Sequence, residues 1–147
     1  MSRARHLARK RAVQALYMWE MTGEDVSDID AQFLLEHDMK NVDIKYFKEL
    51  LHQVPAHAQE LDEHLSPLLD RPFNELDPVE CAIMRLGVYE LKHRIDIPYK
   101  VVINEAVELA KIFGAEEGHK YVNSILDRVA RKLRSIEINA KKSSSNQ

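Results

Sequence analysis

The stretch LDPVECAIMRLGVYELKH, residues 76–93, decides the fold. Asp77 suits a helix N-cap and Pro78 the first helical position. Glu80 stands where a capping-box acid reaches back to the cap. Val79, Ala82, Ile83, Leu86 and Leu91 supply an apolar face behind this start, so the stretch reads as an amphipathic helix running to about His93. Ile97-Pro98 then breaks it.

Downstream, a helix over about 99–113 closes at Gly114, the position favoured by a terminating glycine. A last helix over about 117–136 carries Val122, Ile125, Leu126, Val129 and Leu133. Residues 139–147 are small and polar and are expected to be disordered. Upstream, DRPFNEL at 70–76 reads as a linker. Before it come helices over about 56–69, ended early or kinked by Pro67, over 43–54 behind an Asp43 cap, over 27–38, and over 3–21 up to Gly23. Only four Gly and five Pro punctuate the chain, whereas Leu and Ala supply 29 residues, so helix is favoured throughout. The expected fold is all-α: about seven helices in two small bundles, residues 1–69 and 77–138, packed together as one domain of residues 1–138.

Charge is distributed unevenly. The net charge is −3, yet residues 1–20 hold five bases against one acid, and residues 120–147 seven against two. The 99 residues between them hold 9 bases and 21 acids. Basic ends on an acidic body make a dipolar molecule and point to a polyanion bound at the basic arm; the alternative is a merely solvated basic face. No run of eighteen apolar residues exists, so no membrane span is expected. Cys81 is the single cysteine, which excludes an internal disulfide and suits a reducing cytoplasm.

Catalytic chemistry finds little support. Seven histidines are scattered along the chain. Glu60 and His64, with His57 one heptad earlier, are the nearest approach to a metal set. No HExxH or cysteine pair accompanies them, so a solvated polar face is expected and no metal. Cys81 has no histidine placed as its base. Asn104-Glu105 reads as a buried amide and carboxylate capping a neighbouring helix rather than as a catalytic pair. The four glycines are single and far apart, so no phosphate loop exists. The chain is expected to be no enzyme and to need no cofactor.

Two places carry nucleic-acid chemistry. The first is the arm, with Arg3, Arg5, Arg9, Lys10 and Arg11 leading into the apolar face Ala8, Ala12, Ala15, Leu16 and Trp19. Guanidiniums on a rigid helix form forks with phosphates. The second is Gly118-His119-Lys120-Tyr121, where a helix start presents free amides, Lys120 adds charge and Tyr121 offers a stacking face. Tyr121 reads equally well as a core ring, and Tyr17 has the same ambiguity. Arm and ring form one surface only if the first and last helices pack side by side.

The order of these motifs resembles the NusB family of bacterial transcription antitermination factors over nearly the full length. The matching stretches are the arm with RAVQALYMWE at 11–20, LDPVECAIMRLGVYEL at 76–91, IPYKVVINEAVELAKIFG at 97–114 and HKYVNSILDRVAR at 119–131. The resemblance implies a non-enzymatic factor that binds single-stranded boxA RNA of nascent ribosomal transcripts. It acts there as a heterodimer with the ribosomal protein NusE, and with RNA polymerase and other Nus factors. By position it implies RNA contacts at Arg3, Arg5, Arg9, Tyr17, Lys120 and Tyr121, to which the arm's own charge adds Lys10, and partner contacts at Glu80, Arg85 and Tyr89. His6-Leu7 interrupt the arm, and Asn123-Ser124 stand where an Asn-Gly pair is common. Some relatives form homodimers. The competing readings are a helical protein-interaction adaptor, or a module like the N-terminal domain of RNA cytosine methyltransferases.

Overall fold

The computed structural model describes residues 2–145 and is built from eight α-helices, with no strand among the described residues. They are α1 Arg3–Thr22, α2 Val26–Glu36, α3 Ile44–Ala56, α4 Ala58–Leu65, α5 Pro78–His93, α6 Tyr99–Phe113, α7 Gly118–Leu133 and α8 Ser135–Ser145. Short 3-10 turns at Ser66–Leu68 and Phe73–Glu75 lie between α4 and α5. None of these helices is long and apolar enough to cross a membrane.

Each helix starts and stops for local reasons. Ser2, Asp25, Asp43 and Asp77 accept a backbone N–H two or three residues on, which satisfies donors that a helix start leaves free. Gly23 ends α1 at φ 70°, a left-handed conformation that glycine adopts without strain, and its N–H bonds the Trp19 carbonyl. Pro67 falls in the turn that ends α4 early, as its sequence position predicts.

α5 is the centre of the molecule. Every residue from Glu80 to Leu91 is buried, and α1, α3, α4, α6 and α7 all pack on it. Ile83, Met84, Val88 and Leu91 are at most 1% exposed; each such side chain contributes about 1.5–3 kcal/mol by leaving water. α7 comes so close to α5 that a Cβ on Gly87 would stand 2.7 Å from Leu126 Cδ1. Phe33, Phe47, Leu50, Leu51 and Leu61 extend the same core among the N-terminal helices.

Two expectations fail at the C-terminal end. The single helix expected over 117–136 is broken at Arg134, giving eight helices rather than seven. No glycine or proline marks this break. The Arg134 guanidinium turns inward and donates to the carbonyls of Leu91 (2.7 Å), Glu90 (3.2 Å) and Arg94 (3.0 Å), which caps the C-terminus of α5. The tail expected to be disordered over 139–147 is helical through Ser145, and residues 146 and 147 lie outside the described residues. Glu137 anchors that helix, accepting from Arg134 Nη1 at 2.7 Å and from the Tyr99 amide at 3.1 Å.

Candidate nucleic-acid interface

The basic arm forms the first two turns of α1. Arg3 is exposed and Lys10 half-buried, and neither has an ion-pair partner among the described residues. Arg5 is half-buried, its guanidinium carbon 4.8 Å from the centre of the Tyr46 ring, a cation–π seat. Arg11 spends its donors locally, on the Asp38 carbonyl (3.2 Å) and Gln14 Oε1 (2.8 Å).

Arg9 does not belong to this set. It is 1% exposed, donates from Nε to Glu90 Oε2 at 2.9 Å and lies 3.9 Å from Glu105 Oε1. The Tyr46 hydroxyl donates to the same Glu90 oxygen, and His6 Nδ1 lies 2.7 Å from Glu105 Oε2. Burial, with a smaller push from the nearby Glu105 carboxylate, drives the Glu90 carboxyl up; Arg9 and the Tyr46 hydroxyl pull it partly back. This inward network ties α1 to α3, α5 and α6. It fixes the turn that presents Arg3, Arg5 and Lys10. Glu105 is thus part of an ion-pair network rather than a helix cap, and Asn104 beside it is exposed.

The second place is differently arranged from the sequence expectation. The start of α7 has no room for a phosphate, because the Glu80 carboxylate already fills it. Glu80 accepts from the Ala115 amide, and a Cβ on Gly118 would meet its carboxyl carbon at 2.6 Å. Glu80 therefore does not close a capping box on Asp77; Asp77 alone caps α5, through the Val79 amide at 2.8 Å. Burial, then the nearby Asp77 carboxylate, push the Glu80 carboxyl above the usual range. Lys120 is exposed and paired with Glu117 at 2.8 Å. The Tyr121 hydroxyl donates to Asp70 Oδ1 at 3.0 Å and accepts from the Asp70 amide, while Arg71 covers the ring at 5.5 Å. The ring is half-buried and tethered to the 70–76 segment, which is pinned by this contact.

The helices that carry arm and ring do not pack side by side. α5 separates α1 from α7. Arg9 meets it at Glu90, whereas Gly118 meets it at Glu80. Ten helical residues put these contacts about 15 Å apart along the axis. Tyr17, 39% exposed, lies twelve residues after Arg5, about 18 Å further along α1.

The three residues expected to meet a protein partner are also turned inward. Glu80, Arg85 and Tyr89 are 8%, 9% and 5% exposed. Arg85 forks onto Asp62 (2.8 and 2.9 Å) and reaches Glu20 at 3.0 Å, and these acids hold its charge firmly. The Tyr89 hydroxyl donates to Glu49 Oε2 at 2.9 Å. Their bonds join α5 to α1, α3 and α4, so they set the shape of this side of the molecule from beneath.

Residues 6–131 match the sequence profile of the NusB family. The chain belongs to the NusB family. Relatives include the transcription antitermination protein NusB of Nitrosococcus oceani, 55% identical over 141 residues, covering 96% of this chain and 95% of the relative. That of Marinobacter nauticus is 57% identical over 133 residues, covering 90% and 84%. The fold resembles T. maritima NusB at a TM-score of 0.75 and 31% identity, covering 89% of this chain and 93% of that one. It also resembles a chain of the crystal structure of antitermination factors NusB and NusE in complex with dsRNA. There the TM-score is 0.81 at 30% identity, covering 90% of this chain and 99% of that one. In this member of the NusB family the cations of α1 left outside that network are Arg3, Arg5 and Lys10; of the two acids in it, sequence reasoning placed Glu105 as a helix cap and missed Glu90. Glu90 and Glu105 sit inside apolar helical runs, and that misplacement was the available signal.

Proposed function

We propose that this chain is a non-enzymatic, RNA-binding transcription antitermination factor. It binds boxA-type RNA of nascent ribosomal transcripts as a heterodimer with a NusE-type ribosomal protein. It works in the cytoplasm on RNA polymerase together with the other Nus factors. Membership of the NusB family supports the activity. The geometry that supports the RNA reading is the start of α1, where Arg3, Arg5 and Lys10 stay outside a buried ion-pair network that holds the helix in place. Lys120, Tyr121 and Tyr17 extend the contact toward the other end of α5, and Arg9 serves it from within. The acidic middle of the chain complements a basic, RNA-binding partner. Glu80, Arg85 and Tyr89 hold that surface in shape.

Fluorescence anisotropy tests the proposal, with a boxA-type RNA and a scrambled control, each single-stranded and duplex, with and without the NusE-type protein. The expected result is a preference for the boxA sequence that the partner strengthens. Equal, weak binding to every RNA would leave a helical adaptor with a solvated basic end.

A further inference from the structure

Beyond the RNA surface, one cluster of side chains has no role in it. His57 sits at the corner between α3 and α4, Glu60 in the first turn of α4 and His93 at the end of α5. His57 Nδ1 lies 2.9 Å from Glu60 Oε2, and His93 Nε2 lies 3.0 Å from Glu60 Oε1. All three donor atoms fall within 4.8 Å of one another. The two imidazoles face each other at 4.5 Å between ring centres, and Tyr89 stacks on His93 at 5.3 Å, which restrains both rings. His64, the partner expected from sequence spacing, is turned away: its Nε2 faces Lys92 Nζ at 3.1 Å.

We propose that His57, Glu60 and His93 form a binding site for a borderline divalent cation of the zinc class. Two imidazole nitrogens and one carboxylate oxygen are the donor set such ions prefer, whereas calcium and magnesium require oxygen. Three protein ligands leave room for water in the remaining positions. The side chains are 30–33% exposed, so the ion enters without any opening of the core. Lys92 competes for the site, because its Nζ lies 2.6 Å from Glu60 Oε1 and must swing away when the cation binds. The ion would clamp the α3–α4 corner to the end of α5, so binding and folding stability are linked.

Titration of the tag-free full chain with Zn2+ by calorimetry, and with Co2+ by visible absorption, tests the site. One equivalent should bind and raise the melting temperature. His57→Gln and His93→Gln, checked for fold by circular dichroism, should each weaken binding by at least about tenfold. Lys92→Ala should tighten it, and His64→Gln should leave it unchanged. No binding by the unaltered chain, or binding that both histidine variants retain, would overturn the proposal.

Discussion

Replacing Arg9 by Met separates a strut from a contact. The substitution keeps the aliphatic stem and removes the guanidinium from a side chain that is 1% exposed. Glu90, also 1% exposed, would keep only the Tyr46 hydroxyl, and its Oε1 already has no hydrogen-bond partner. Removing one member of a buried pair costs about 3–5 kcal/mol, because the other charge is left uncompensated. The unfolding entropy of 147 residues is about 0.3 kcal/mol per kelvin, so the melting temperature should fall by about 10–16 °C. The deficit should also depend on pH. Glu90 in the folded chain already has its pKa above the ordinary value, and loss of Arg9 raises it further. The native state then holds a proton that the unfolded state has released, so stability falls as pH rises through that window. The variant should therefore be closest to the parent in mildly acid solution and fall further behind it as pH rises. Calorimetry or urea titration across this range measures the effect, and adding Glu90→Leu should recover part of the loss. If Arg9→Met leaves stability within about 1 kcal/mol of the parent yet abolishes RNA binding, the side chain is an RNA contact and the network account is wrong.

Three further outcomes follow from the same geometry. The triple variant Arg3→Ala, Arg5→Ala, Lys10→Ala should melt close to the parent while its log–log salt slope for single-stranded RNA drops by about 2; an unchanged slope would remove the arm from the interface. Gly118→Ala should destabilise by about 1–3 kcal/mol because its Cβ meets the Glu80 carboxyl group. Combining it with Glu80→Ala should be less than additive by a double-mutant cycle, and strict additivity would show that the two do not touch. Arg134→Ala strips three carbonyls of a charged donor. It should cost at least about 1.5–3 kcal/mol in urea unfolding, and a smaller change would mean that water replaces the cap.

Much of the fold was legible because local signals agreed with burial. The apolar spacing of α5 and α6 and the Asp77 cap of α5 are local signals, and the structure reproduces α6 over 99–113. What escaped reading was polar and long-range. Arg9 sits in the stripe Ala8, Ala12, Leu16 and so faces the core, yet in a run of arginines it looks like one more phosphate contact. Its acceptors, Glu90 and Glu105, lie 81 and 96 positions away and are recognisable only as charges set into apolar runs. The same blindness hid Glu80 at the start of α7: its position in α5 matches a capping box, and nothing local says that it crosses to another helix. His93 could not be joined to His57 and Glu60 by spacing, since only the packing of α5 on α4 brings them together.

The clasp of Arg134 on α5 has a consequence for how the protein is made. A ribosome delivers residues 78–93 well before residue 134, so the most buried helix emerges with the carbonyls at its far end still facing water. Closing them requires a segment forty or more positions later to fold back, a loop whose entropy must be spent before the bonds return it. The centre of the molecule is therefore sealed by a segment that leaves the exit tunnel well after the helix it closes, and a nascent chain stopped short of Arg134 carries an unfinished core however well its earlier helices have formed.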